Sequence, residues 1–369
     1  MAFSGLFGKK AGESMLLIDI GAASVAGAAA THSTGDDLSL AYAKRVAIEH
    51  REGEAAEEAM IRALETVADA LVVEGAPALA RAGGAPHAHR ALISLDAPWQ
   101  ETELHTEKVE RRDAFVITRQ MLSQMLKKAL PDMPGKTPVD ESVIGTIVNG
   151  YETREPFGKR GRRVTFILLT SYIVTETARR IVGALRKRFP HVRLMTIAGP
   201  SLRYRALASV FPHERDALIV DATAPQVSIA LVRRGLLAAV SETPPAGFDA
   251  PQWVSGIESA LARIATEYPL PRTVLLLARE AEIARVREAL EAPSLGKAWL
   301  VDTPPKIISV LASHVAPSAP RPEGAAPDLV LELMLRYAQN RPEGEEEEGT
   351  APAPAAPDVH SSGSASESS

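Results

Sequence analysis

Asp19 and Asp221 are the residues whose surroundings look most chemical. Each closes an apolar run that reads as a buried strand, Leu16–Ile20 in one case and Ala217–Asp221 in the other. After Asp19 the chain continues Ile-Gly-Ala-Ala-Ser24, a small-residue turn in which Gly21 permits a tight bend and Ser24 aims a hydroxyl back along it. Amides of such a turn, a hydroxyl and a neighbouring carboxylate are groups that meet a phosphate. Strands ending in Asp and Gly are common, however. Asp19, Ser24 and Asp221 also make ordinary turn and strand-end caps. What decides between the two is whether the rest of a phosphate site accompanies them.

No other motif supplies a catalytic group. His87-Ala-His89 would place two rings on one face of a strand and bind Zn²⁺. It falls instead in a Gly/Pro/Ala loop with no third ligand close in sequence, so an exposed loop is expected and no metal site is assigned. Gly-x-Ser-x-Gly, His-Glu-x-x-His and Walker patterns are absent. The absence of cysteine excludes disulfides, thiolate metal sites and cysteine nucleophiles. The run Lys159-Arg-Gly-Arg-Arg163, with Arg179, Arg180, Arg186, Lys187 and Arg188, offers positive charge to anionic lipid or an acidic partner. A solvated hairpin tip and helix face is the plainer expectation.

The elements that must position these residues alternate in type. Val25–Ala30 and Leu38–Ile48 continue a meander around a turn at Thr34–Asp37, and Glu54–Val73 has helical spacing. A loop at Gly75–Pro86 precedes a strand at Arg90–Asp96. Glu101–Val109 is extended, and Thr118 caps a helix to Ala129 with Met121, Leu122, Met125 and Leu126 on one face. Pro131–Pro138 breaks the chain. Strands at Ser142–Tyr151 and Arg163–Ser171 follow, joined by a turn at Pro156–Gly161, and then a helix at Thr175–Phe189. From Val192 a new βα layer begins: strand Arg193–Ile197, helix Pro200–Val210, strand Ala217–Asp221, and a hairpin through Gly235 to Thr243. Helix Pro251–Tyr268, strand Thr273–Ala278, helix Glu280–Leu290, a last strand Ala298–Val301 and helix Asp328–Gln339 complete it. Strand-turn-strand openings at Leu16–Ala30 and Leu218–Val232 faintly repeat each other.

With 369 residues, 46% of them hydrophobic but only 5% aromatic, the chain fits two or three domains cored by Ala, Leu, Val and Ile. It has no apolar run long enough to span a bilayer and no secretory signal, which points to the cytoplasm. The net charge is −5, yet residues 342–369 hold seven acids and no Lys or Arg, leaving the remainder at +2. That stretch is expected to be disordered, and a near-neutral body gives no reason for a nucleic-acid partner.

The order of these pieces resembles the bacterial actin-like scaffolds, the FtsA and PilM (type IV pilus assembly) family. The likeness lies in a short Phe/Lys lead-in at Met1–Lys10, in Leu17-Ile-Asp-Ile-Gly-Ala-Ala-Ser-Val25, and in Asn149-Gly-Tyr-Glu-Thr-Arg-Glu-Pro-Phe-Gly158. The last, with Ala91–Leu95, Glu101–Thr118, the helix from Thr118, Val164–Thr170 and Thr175–Phe189, looks like the α+β subdomain inserted in those scaffolds. The resemblance implies an α/β actin-like (ribonuclease H-like) duplicated fold with that insertion and a reduced second half. It implies a first actin-like half at 1–90, an inserted SHS2-like subdomain at 91–190, a second half at 191–316, a helix in 317–340 and a disordered acidic tail at 341–369.

In that superfamily the first turn is a phosphate loop, and the Asp at the strand end orders the metal-bound water. Were ATP with Mg bound here, Asp19, Gly21, Ser24 and Asp221 would hold it. Three departures argue that no cofactor is used. The second loop, normally Asp-x-Gly-x-x-Thr/Ser, reads Asp221-Ala-Thr-Ala-Pro-Gln226, where the Thr223 Cβ obstructs phosphate and Pro225 removes an amide. The Gly-Gly beneath adenosine is replaced by Arg279-Glu280. Only a loop and one helix separate Gly247 from Thr273, where relatives carry a whole subdomain. The expectation is a non-catalytic scaffold at the inner face of the cell membrane. It would dock the cytoplasmic tail of a membrane-anchored assembly protein, with possible self-association and at most peripheral membrane contact. The competing reading is an ATP-binding filament former or ATPase. By resemblance, the docked peptide would lie on Ala91–Asp96 and Val143–Tyr151, through edge-strand pairing or a groove.

Overall fold

A computed structural model describes residues 13–32, 38–129, 133–153, 155–247, 251–292, 295, 299, 305–315 and 327–340. Among them, two five-stranded sheets follow one plan. In the first, β1 (Ser14–Ile20), β2 (Ser24–His32) and β3 (Leu38–Ala47) form an antiparallel meander. Beside β1, β4 (Arg90–Leu95) and then β9 (Arg193–Ala198) add in parallel, giving the order β3-β2-β1-β4-β9. In the second sheet, β10 (Ala217–Ala222), β11 (Ser228–Arg233), β12 (Leu236–Glu242), β13 (Thr273–Ala278) and β14 (Lys306–Val310) are arranged identically as β12-β11-β10-β13-β14. The faint echo in the sequence is thus a duplicated architecture.

Strand parity sets the layers, because successive side chains point to opposite faces. Leu16, Ile18 and Ile20 face outward from the first sheet onto α1 (Ala56–Ala70) and α4 (Thr175–Arg186). Leu218, Val220 and Ala222 do the same in the second sheet, under α6 (Pro251–Glu267) and α7 (Ile283–Leu290). Met15 and Leu17 on one side, and Ala217 and Ile219 on the other, face a shared central core. Two helices fill that core: α5 (Gly199–Val210), through Leu202, Ala206 and Leu207, and α9 (Leu329–Gln339), through Leu331, Met334 and Leu335.

A third sheet is inserted between β4 and β9. Its strands β5 (Gln100–Val116), β6 (Lys136–Val148), β7 (Tyr151–Thr153) and β8 (Arg160–Val174) are antiparallel in the order β5-β8-β6-β7. Helix α3 (Arg119–Ala129) closes a small core of Ile117, Leu122, Val164, Phe166 and Leu168. Thr118 caps this helix as expected, accepting from the Met121 amide at 3.2 Å. The insert is tied to β9 by Asp140, whose carboxylate accepts from the Ala198 amide at 3.0 Å, and by Thr196 Oγ1, which donates to Val139 O at 2.7 Å.

Several expectations shift. The helix at Glu54–Val73 does not give way to a loop at Gly75; a π-helical turn (Leu71–Gly75) and α2 (Ala76–Arg81) carry it on. The strand read at Ser142–Tyr151 begins earlier, at Lys136, and ends at a turn where Asn149 and Gly150 both take positive φ (51° and 90°). Residue 90 is not a boundary, because β4 pairs with β1; nor is residue 190, because β9 completes the first sheet. Ala91–Asp96 is therefore unsuited to edge pairing. β4 is hydrogen-bonded on both sides, and Ala91 to Leu95 are buried. Of Ala298–Val301 only Trp299 is described, as a bend, and the rest lies outside the described residues; among those described the last strand is β14. It is followed by α8 (Ala312–Val315). The turn at Thr34–Asp37 and the acidic stretch 341–369 lie outside the described residues.

Helix α9 depends on Asp328, which accepts from the Val330 and Leu331 amides at 3.1 Å while its two oxygens also hold Arg45 at 2.6 and 2.9 Å. Asp328→Ala removes the cap and the ion pair together and is expected to cost about 2 to 4 kcal/mol in urea unfolding. Asp328→Asn keeps a capping oxygen and should cost distinctly less. Equal losses would show that the cap contributes nothing and that the Arg45 pair carries the whole cost.

An ion-pair cluster between the two sheets

The strand register explains why two carboxylates distant in sequence meet. In the first sheet a cross-strand row runs Arg45, Ala26, Asp19, Ser94 over β3, β2, β1 and β4. The equivalent row in the second sheet is Glu242, Ser228, Asp221, Leu277. Asp19 shares parity with Leu17, and Asp221 with Ile219, so both turn into the space between the sheets. Ala26 is small enough for Arg45 to reach across it. Both Arg45 terminal nitrogens lie 3.2 Å from Asp19 Oδ2, and Nη1 donates to Ser24 Oγ at 2.8 Å.

The centre of the cluster is Arg203, on the inner face of α5 and only 2% exposed. Its Nε donates to Asp221 Oδ2 at 2.8 Å, Nη2 to Asp96 Oδ2 at 2.8 Å and Nη1 to Ser94 Oγ at 3.1 Å; Asp19 Oδ1 lies 3.8 Å from Nη2. One guanidinium thus joins the first sheet, the loop after β4 and the second sheet. Gly199 makes room for this, since a Cβ there would stand 1.5 Å from Asp96 Oδ1.

Two guanidinium groups face four carboxylates, Asp19, Asp96, Asp221 and Asp328. Burial pushes Asp96 up to about 8 against the pull of Arg203, with repulsion from Asp19 and Asp221 adding to the rise. Burial likewise raises Asp19, opposed by Arg45 and Arg203. Burial also works against Asp328, but Arg45 and the two capping amides hold it below the ordinary range. At the rim, burial and then Glu101 push Glu242 up to about 7.

Among the residues expected to form a site, Asp19 and Ser24 share Arg45, and Asp19 and Asp221 share Arg203. Gly21 does not take a left-handed φ. Its amide instead closes the turn onto Ser24 O at 3.0 Å, and its carbonyl accepts from Trp99 Nε1 at 2.8 Å. In the second loop Thr223 folds onto Asp221 Oδ1 through its amide (3.0 Å) and its hydroxyl (2.6 Å). Arg279 reaches over that loop to Thr223 O at 2.8 Å, while Glu280 is exposed. The cavity bounded by both loops, Arg45 and Asp96 measures about 40 Å³, room for about three waters. Arg45, Arg203, Asp96, Asp328 and Glu242 were not singled out from sequence. Arg203 had a signal: it sits mid-helix between Leu202, Tyr204, Ala206 and Leu207, so it had to be buried and therefore paired.

His87 and His89 are exposed, and no set of three metal-binding side chains forms among the described residues. Three basic residues of α4 and the turn after it are engaged by α1, Arg180 with Glu57, Lys187 with Glu65 and Arg188 with Asp69, while Arg179 pairs with Glu176 of its own helix and Arg186 donates to Pro190 O and Val192 O. A larger groove of about 550 Å³ opens between the insert and the second sheet, walled by Val143–Thr146 of β6, the outer side of α5 and the β11–β12 turn. It takes in Val143–Thr146 of the Val143–Tyr151 stretch. No described helix is long and apolar enough to cross a membrane.

Two measurements probe the cluster. Arg203→Met strands Asp96 and Asp221 without a cation and should cost about 3 to 5 kcal/mol in urea unfolding, as for a broken buried pair. Arg203→Lys keeps the charge without the fork and should fall between. The second concerns pH. Asp96 and Glu242 bind protons more tightly folded than unfolded, so their contribution is present below about pH 4 and is lost as pH rises through 7 and 8. Tm should therefore fall between pH 6 and pH 8.5, and Glu242→Gln should flatten that fall. Parallel profiles for the two proteins would contradict the assignment.

No protein-family model matches the chain, and no curated protein does. Solved structures do. The PilM–PilN type IV pilus biogenesis complex aligns with a TM-score of 0.52 at 14% identity, covering 89% of this chain and 99% of that one. A Bacteroides thetaiotaomicron protein with an actin-like ATPase fold gives 0.46 at 8% identity, covering 88% and 96%. The ethanolamine utilization protein EutJ from Carboxydothermus hydrogenoformans gives 0.38 at 12%, covering 88% and 89%. At these identities what is shared is the fold. With its paired β3-β2-β1-β4-β9 and β12-β11-β10-β13-β14 sheets, this chain has the actin-like ATPase fold in a divergent form.

Proposed function

We propose that the protein is a non-catalytic scaffold of the PilM and FtsA kind that works without a nucleotide. It acts at the cytoplasmic face of the cell membrane and docks the tail of a membrane-anchored assembly protein. The observation that carries this reading is Arg203, bonded at 2.8 Å to Asp96 and to Asp221 in the space between the sheets.

Mg-ATP fits these residues poorly. A hydrated Mg²⁺ needs carboxylate oxygens free to receive its waters, and Asp221 and Asp96 are spent on a guanidinium while Asp19 is engaged by Arg45. Phosphates need open amides, whereas Thr223 and Arg279 close the second loop upon itself. A cavity of about 40 Å³ is far below the several hundred Å³ of ordinary ligand pockets.

The docking half of the reading rests on the inserted sheet and the groove beside it. Strands β5 to β8 with α3 form an inserted α+β unit, read here as SHS2-like, and the groove of about 550 Å³ is in the size range of ligand sites. The likeness to a pilus biogenesis complex favours a membrane-assembly partner over a soluble substrate.

Isothermal titration tests the nucleotide half. Millimolar Mg-ATP should give no saturable heat and no phosphate release. Saturable binding lost in Asp19→Ala would overturn the scaffold reading in favour of an ATP-dependent filament former or enzyme.

A further inference from the structure

The groove between the insert and the second sheet has a candidate occupant within the same chain. Helix α9 ends at its rim. Tyr337 lines the groove, and Asn340 Nδ2 donates to Ser209 Oγ, another lining residue, at 3.0 Å. The chain that leaves this point begins Arg-Pro-Glu-Gly-Glu-Glu-Glu-Glu348 and continues Ala351-Pro-Ala-Pro-Ala-Ala-Pro357. In sequence, five glutamates and then three prolines thus follow the helix end at the rim of the groove.

The groove offers partners for both parts. Arg205, Arg215 and Arg234 line it. Arg234 is exposed at the tip of the β11–β12 turn, and Arg215 is braced there by Glu152 Oε2 at 2.7 Å and Arg234 O at 2.6 Å. Phe157, Phe211 and Tyr337 supply aromatic surface, the kind on which extended Pro-rich segments settle at low entropic cost. Reach is ample, since the fifteen residues from Glu343 to Pro357 span about 45 Å when extended as polyproline II.

We propose that segment 341–357 binds in cis along this groove, its glutamates on the arginine rim and its Ala-Pro stretch on the aromatic surface. The segment is then a built-in competitor for the groove, displaced when a partner's peptide arrives. That competition rests on the docking reading above; the contact itself does not.

The absence of cysteine makes the test clean. Two introduced thiols, Ala208→Cys on the exposed groove side of α5 and Ala355→Cys, carry nitroxides in the full chain. A free coil of fifteen residues from Asn340 would scatter broadly around about 20 Å from its anchor. The bound segment should instead give one narrow distance, unchanged when labelled protein is diluted with unlabelled. Changing Glu343, Glu345, Glu346, Glu347 and Glu348 to Gln, which leaves every described residue untouched, should broaden it. Arg234→Glu and salt of about 0.5 M should do the same, because the pairs are exposed to screening. A broad distribution in the unaltered chain would overturn the proposal. So would a narrow distance indifferent to charge, or one lost on dilution, which would mark contact between copies. None of these outcomes bears on Mg-ATP titration, so failure of this contact and failure of the scaffold reading are told apart.

Discussion

Arg203 has no neutral form to retreat to. A guanidinium stays charged throughout the range in which proteins fold, so burying one obliges the fold to bring carboxylates to it. Here that obligation organises the centre of the molecule. Asp96 comes from the loop after β4, Asp221 from the end of β10, and Asp19, from the end of β1, lies just beyond at 3.8 Å. Because α5 lies between the two sheets, a single side chain fixes both against it. Arg45 extends the network to Asp328 and so to the helix that fills the rest of the central core. Buried ion clusters of this kind add little net stability, but removing one member leaves uncompensated charge. The cluster therefore acts as a constraint on how the halves sit more than as a source of folding free energy.

The duplicated sheets account for its geometry. Asp19 and Asp221 occupy the same position in two copies of one strand plan, and seven residues separate each from its cross-strand partner, Ala26 or Ser228. The third strand then differs, carrying Arg45 in one sheet and Glu242 in the other. Symmetry delivers two facing carboxylates, as a fold that holds a metal and phosphates between its halves would. The departures from symmetry, Arg45 and Arg203, neutralise them from within. Burial is the first physical reason Asp96 and Glu242 keep protons near neutrality, with repulsion from Asp19 and Asp221 adding at Asp96 and from Glu101 at Glu242.

Much of this was legible in the residues. Apolar runs ending in Asp19 and Asp221, the hairpin through Gly235, the Thr118 and Asp328 helix starts and the alternating inserted strands all reported local preferences that the packing respects. In the sequence Thr223 and Arg279 read only as obstructions to a nucleotide; that they hydrogen-bond within and across the second loop is visible only in the structure. What escaped was set by long-range pairing. The strands β4 and β9 read as the edges of other units because nothing local reveals that they flank each other across the insertion. Gly75 read as a helix end because its loop composition outweighed the packing that carries the helix to Arg81. Arg45 sits in an ordinary alternating strand, and only the register places it opposite Asp19.

A crystal structure of the protein grown with millimolar Mg-ATP tests the central claim most directly. The account predicts Arg203 within hydrogen-bonding distance of Asp96 and Asp221 and no nucleotide between the sheets. An adenylate lodged there, with Arg203 swung clear of both carboxylates, would contradict it.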